Sequence, residues 1–221
     1  MDGIRKVILT IIFSGLVLKI NAQTEQIENP TQFLIPQFSN SILKMKGSKD
    51  ITSMLNYNIV SGKMVFIRNG QVFDLTNPET VDTIFINNKL FVPKGKVFYE
   101  VLLKGTIVLY IQHKGNIVDP GMPAAYGGTS QVSSSNYVSR MEMGTSVYNM
   151  KLPDNFIVKS EQVYWISLSN NDYSFVNERQ FIKIFNGKES EIKKYIKANR
   201  TKFENPADII NLVNYCSELM K

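Results

Sequence analysis

Hydrophobic and polar residues alternate with a period of two through the middle of the chain and switch to spacings of three and four near its end. Two-residue alternation marks a half-buried strand, because successive side chains point to opposite faces. Such runs fall at 55–60, 63–68, 71–75, 81–86, 89–92, 96–103 and 106–112. Turn formers separate them: Ser61-Gly62, Asn69-Gly70, Asn77-Pro78, Asn87-Asn88, the stretch 93–95, and Lys104-Gly105. Asn69-Gly70 is the strongest, since both residues accept the positive φ of a two-residue type I′ hairpin. Connections this short force antiparallel neighbours, because a parallel crossover takes about a dozen residues or more. The pattern predicts a meander that curls into a sheet or small barrel. Strand-like text returns at 145–151, at 162–168 around the single tryptophan, Trp165, and at 173–176 after an Asn170-Asn171 turn. Trp165 is expected to anchor the core or rim of the sheet.

The last 45 residues read as three short helices. Asn177 caps the first, and Gln180 completes a capping box. Phe181, Ile182 and Phe185 form its apolar face, and Gly187 ends it. The second covers 189–199, with Ile192, Tyr195 and Ile196 on one side. Asn205 caps the third, Pro206 takes its first position and Asp208 lies in its first turn. Ile209, Leu212, Val213, Cys216 and Leu219 then fall on one stripe. Helices this short need a partner surface, so they are expected to pack together and on the sheet.

The predicted fold class is α+β: an antiparallel β-meander sheet or small barrel followed by a short C-terminal three-helix element. The expected organisation is a signal peptide at 1–22, an extended lead-in at 23–53, a β-rich domain at 54–176 and a helical element at 177–221. Phe33, Leu34, Ile35 and Phe38 are the side chains expected to dock the lead-in. A long Gly/Ser loop at 114–143, broken by Asp119-Pro120-Gly121 and Pro123, interrupts the β-rich domain.

At the start of the chain, Arg5 and Lys6 precede an apolar run over 7–18, and Asn21-Ala22 offers a cleavage site before Gln23. Twelve helical residues span about 18 Å, short of the roughly 30 Å of a bilayer core. The expectation is an export signal. Its removal takes Arg5, Lys6 and Lys19 against Asp2, so the net charge falls from +6 to +4. No later apolar stretch is long enough for a spanning helix, so no transmembrane span is expected in the mature chain. The composition, 43% hydrophobic and 20% charged, excludes a collagen-like or wholly disordered polymer. A single cysteine excludes an internal disulfide. Cys216 on its apolar stripe is expected to be a buried thiol.

Several segments resemble a group of exported proteins of Bacteroidota to which no function is assigned. They are Gly127-Gly128-Thr129-Ser130 through Ser135, then Tyr148-Asn149-Met150-Lys151-Leu152-Pro153-Asp154, then Phe181-Ile182-Lys183-Ile184-Phe185, Glu191-Ile192-Lys193-Lys194-Tyr195-Ile196 and Tyr215-Cys216. The resemblance implies an exported location: periplasmic, outer-membrane associated or extracellular. It supplies no catalytic residues. In such proteins Asp-Thr followed by an aliphatic residue looks like an O-glycosylation site, and Asp82-Thr83-Ile84 fits with Thr83 as the acceptor.

Common catalytic constellations are missing from the sequence. His113 is the only histidine, and with one distant cysteine it makes no zinc ligand set. It is expected to be a polar residue beside a turn. No nucleophile elbow, phosphate loop or dinucleotide fingerprint occurs. No cofactor is expected. Glu142, Asp154, Glu161 and Asp172 are the carboxylates from which a hydrolytic acid pair would have to come.

The sharpest candidate for ligand or partner contact is the loop at Tyr126, Gly127, Gly128, Thr129 and Ser130, with Trp165 or Tyr126 as a stacking surface. Its glycines let backbone N–H groups converge, and its hydroxyls suit a sugar or a peptide edge. Lys183, Lys188, Lys193, Lys194, Lys197, Arg200 and Lys202 form a basic run, read as a solvated helix face that an acidic polymer would also suit. Nucleic-acid binding is not expected. The expectation is a non-enzymatic interaction or accessory protein of the cell envelope with a protein partner. The alternatives are small-molecule or glycan binding through 114–143 and a hydrolase with an acidic pair.

Overall fold

The computed structural model of the chain describes residues 32–118, 122–123, 129–130 and 157–221. Ten strands form one antiparallel sheet: β1 (Ser39–Met45), β2 (Ile51–Asn58), β3 (Lys63–Arg68), β4 (Gln71–Asp74), β5 (Val81–Ile86), β6 (Lys89–Lys94), β7 (Val97–Leu103), β8 (Val108–Val118), β11 (Ile157–Leu168) and β12 (Asn171–Phe175). Their spatial order is β12-β11-β8-β7-β6-β5-β1-β2-β3-β4. Two short strands, β9 (Met122–Pro123) and β10 (Thr129–Ser130), pair with each other. Helices α1 (Glu178–Ile182), α2 (Glu189–Asn199) and α3 (Pro206–Leu219) follow. The fold is thus the expected α+β arrangement, a sheet with a helical C-terminal element. No helix among the described residues is long and apolar enough to cross a membrane.

Local chemistry sets the hairpins. Asn69 and Gly70 both take positive φ, 53° and 74°, and close the two-residue loop between Arg68 and Gln71. The last hairpin turns on Ser169 and Asn170, at φ 50° and 64°, one residue earlier than the Asn170-Asn171 pair expected. Asn171 already faces Leu168 across the ladder, so the two residues between them take the turn.

The extended lead-in contains a strand. β1 lies between β2 and β5 and is hydrogen-bonded to both. Its inward positions include Ser39 and Ser41, which mute the alternation, although Ser41 is buried with Leu43. Ahead of it, a strap from Gln32 runs antiparallel beside the end of β2. The Asn56 Oδ1 accepts hydrogen bonds from the Ile35 and Tyr57 N–H groups, and its Nδ2 donates to the Ile35 carbonyl. Ile35 is buried and Phe33 meets Phe38 edge to face, so the lead-in side chains do dock. β8 runs on to Val118, into the region expected as loop. It pairs with β11 from Val108↔Ser167 to Val118↔Ile157. The run at 145–151 lies outside the described residues.

One face of the sheet is the core. A row crosses it as Leu43, Ile84, Phe91, Glu100, Ile111, Tyr164 and Phe175, each facing the next on the neighbouring strand. At the β8–β11–β12 end the helices cover this face. Phe181, Phe185, Ile192, Ile209, Leu212, Val213 and Cys216 pack on Leu109, Ile111, Tyr164 and Ile166. Each such fully buried side chain contributes roughly 1.5–3 kcal/mol. At the other end the sheet curls over its own face, around Leu55, Tyr57, Met64, Phe91 and Phe98. The corner after β2 meets β7 and β8: Gly115 N–H donates to the Ile59 carbonyl, Phe98 N–H to the Gly62 carbonyl, and the Tyr57 hydroxyl to the His113 carbonyl.

Candidate functional site

The outer face carries the first candidate. Alternation puts Ile42, Phe85, Leu90, Val101, Tyr110 and Trp165 there, one on each of six adjacent strands and each opposite the next. An outward row on a solvated sheet is ordinarily polar. Here every position is apolar or aromatic. Ile42 and Phe85 are 47% and 39% exposed, and the other four are half-buried.

Aromatic side chains thicken one end of this row. Tyr99 stacks on Trp165 at 5.5 Å between ring centroids and meets Tyr110 edge to face at 6.4 Å. Lys94 Nζ lies 4.7 Å from the centre of the Tyr110 ring and 3.0 Å from an Asp172 carboxylate oxygen. Lys94 is on β6 and Asp172 on β12, with three strands between them. In a flat sheet those strands would be about 19 Å apart. Twist folds the outer face along this diagonal and brings the three half-buried rings together. Partial burial works to raise the Asp172 carboxyl, but hydrogen bonds from Lys94 and Ser167 and the Lys94 charge outweigh it and hold it below its ordinary value. Burial raises the Tyr99 hydroxyl against the opposing Lys94 charge. Trp165 Nε1 donates to the Gln112 amide oxygen at 3.3 Å, so Trp165 anchors the outer face instead of the core.

The remaining sequence candidates do not join it. Tyr126, Gly127 and Gly128 lie outside the described residues. Thr129 and Ser130 form β10, opposite Pro123 and Met122. Thr83 is half-buried on β5, opposite Lys44 of β1, and its hydroxyl donates to Asp82. Glu142 and Asp154 are outside the described residues. Glu161 and Asp172 stand apart, because Asp172 faces Ser167 and Glu161 is six residues further along β11. That is about 20 Å of strand, against roughly 5–10 Å for the carboxyls of glycoside hydrolases. The basic run is a solvated face: Lys193, Lys194, Lys197 and Arg200 are exposed.

On the core face sits a charged cluster that sequence reading misses. His113 is not beside a turn. It is 5% exposed in the interior of β8, with Nε2 2.6 Å from a Glu100 carboxylate oxygen. The other Glu100 oxygen lies 2.7 Å from Lys89 Nζ. Burial pushes the Glu100 carboxyl up, but hydrogen bonds from His113 and Lys89 and their charges outweigh it and hold it below its ordinary value. The signal was available: Glu100 is in phase with Phe98 and Leu102, and His113 with Leu109 and Ile111. Next to His113 across the ladder is Gln162, at the edge of a groove of about 390 Å³ lined by Ser160, Gln162, Val176, Phe203 and Glu204. Among the described residues no group of three or more His, Cys, Asp or Glu side chains is placed to hold a metal ion. The chain matches no family model, no curated protein and no solved structure.

Proposed function

We propose that the chain is an exported, non-catalytic interaction or accessory protein of the bacterial cell envelope that receives a protein partner on the outer face of its sheet. The observation that carries the reading is the apolar row from Ile42 to Trp165. Contiguous apolar surface with aromatic anchors and a charged border is the usual composition of an interface core. Lys44, 5.8 Å above the Phe85 ring, and the Lys94–Asp172 pair supply that border. The export signal expected at 1–22 and the resemblance to exported proteins of Bacteroidota support the location.

The test is recovery of the tagged protein from its own envelope fraction, as wild type and as Ile42→Asp/Phe85→Asp. Both positions are exposed, and far-UV circular dichroism of the double variant checks that it keeps the native fold, since the two new carboxylates face each other across β1 and β5. A stoichiometric partner that the variant loses is the expected result. A partner held equally by both, or no partner with either, would refute the reading.

The Tyr99–Trp165 stack supports a second reading, in which the outer face takes the apolar face of a sugar ring. Trp165 is the only tryptophan, so its fluorescence reports on this place alone. A saturable shift with a panel of sugars is the expected signature, and a flat response to every sugar would dismiss it.

A further inference from the structure

We infer that the groove between β11 and the α2–α3 loop binds a primary ammonium or guanidinium group carried on a short apolar stem. The site is separate from the outer face, because Ser160 and Gln162 alternate along β11 with the residues that point outward. Each polar side chain of its lining, Ser160, Gln162 and Glu204, carries a hydrogen-bond acceptor, and Glu204 carries the charge. The Glu204 carboxylate makes no hydrogen bond or ion pair to any described residue. The Gln162 amide oxygen accepts the Tyr164 hydroxyl at 3.3 Å and keeps a second lone pair for a ligand. The Ser160 hydroxyl adds a third acceptor. Among the described residues no lysine or arginine lines the groove.

The walls suit the stem. Val176, itself exposed, lines one side, and Phe203 is held edge-on by Phe175 and Phe181 of the core, at 6.2 and 6.1 Å. The neighbouring Asp208 is already committed, one oxygen to the Lys202 N–H and the other to the Asn205 amide. Among the described residues Glu204 is therefore the carboxylate of the groove without a partner. The field of the place is negative: the Tyr164 hydroxyl is pushed up to about 12, first by burial and then by the Glu204 and Asp208 charges. A volume of about 390 Å³ is in the range of small-ligand sites. A cation gains a charge-assisted partner there, and an anion is repelled.

The source of the group is a free small amine or a Lys or Arg side chain of a peptide, and the probes separate the two. The full chain, labelled with ¹⁵N, is titrated with n-butylguanidinium, with a capped Gly-Arg-Gly peptide, and with n-butanol as the neutral control. The expected result is saturable shifts at the amides of Ser160, Gln162, Val176, Phe203 and Glu204, with a dissociation constant in the millimolar range for the small probe. Tighter binding of the peptide assigns the site to a protein side chain, and tighter binding of the free guanidinium to a small molecule. Glu204→Gln, at an exposed residue, is expected to keep the spectrum of the folded protein and weaken both cations about fivefold. No saturable shift with either cation, equal shifts with n-butanol, or unchanged affinity in Glu204→Gln would each overturn the inference.

Discussion

At the scale of single residues, the most consequential choice is a glutamate in the core row. Glu100 occupies a position where its neighbours across the ladder are Phe91 and Ile111. A buried carboxylate there is tolerable only because His113 and Lys89 satisfy both oxygens. Glu100→Gln should lower the unfolding free energy at pH 7 by about 1–3 kcal/mol in urea titrations, since His113 is left buried without its charged partner. The pH dependence follows from the lowered folded-state carboxyl. Its contribution is present above the ordinary value of 4.5 and is lost as pH falls through the folded value. Wild type should therefore lose stability on acidification below that point more steeply than Glu100→Gln, and parallel curves would contradict the account. Gly115 makes a different demand. A Cβ there would stand 2.7 Å from side-chain atoms of both Ile59 and Val158, where the sheet meets itself. Gly115→Ala is expected to cost about 1–3 kcal/mol. Gly105→Ala, whose Cβ would meet nothing closer than 3.8 Å, should be near neutral by the same measurement.

At the scale of elements, much was legible because local chemistry decides it. Asn177 Oδ1 accepts from the Gln180 N–H, and the Gln180 amide oxygen accepts from the Val176 N–H, one residue before the cap. Asn205 accepts from the Ala207 N–H and starts α3 at Pro206 as expected. The alternating runs from β2 to β8 and the stripe on α3 follow from the same periodicities. What was not legible depends on partners far along the chain. β1 hides behind inward-facing serines and is a strand because β2 and β5 flank it. β8 passes Gln112 because β11 pairs with it up to Val118. On α3, Cys216 packs on the sheet, and burial pushes its thiol up to about 12. The native protein should accordingly resist a thiol-specific disulfide reagent at neutral pH and react only on unfolding. Rapid modification of the folded protein would show that α3 does not sit where described.

At the scale of the whole molecule, one sheet serves two purposes on two faces. The inner face makes both halves of the core, with the helices closing one end and the curl of β1–β3 closing the other. The outer face is left with an apolar row and a folded diagonal of rings under the Lys94–Asp172 pair. Neither the row nor the groove at Glu204 could be read from the sequence. Each brings together residues from strands and loops tens of positions apart, and the register that aligns them exists only once the sheet has formed. Trp165 alone was singled out in advance, and its neighbours Tyr99 and Tyr110 were not. The central claim is that the outer row is a protein interface. The most direct measurement is site-specific photo-cross-linking in the native envelope from position 85, with position 194 on α2 as the exposed control. The account predicts one discrete protein adduct from position 85 and none from 194. No adduct from 85, or the same adducts from both positions, would contradict it.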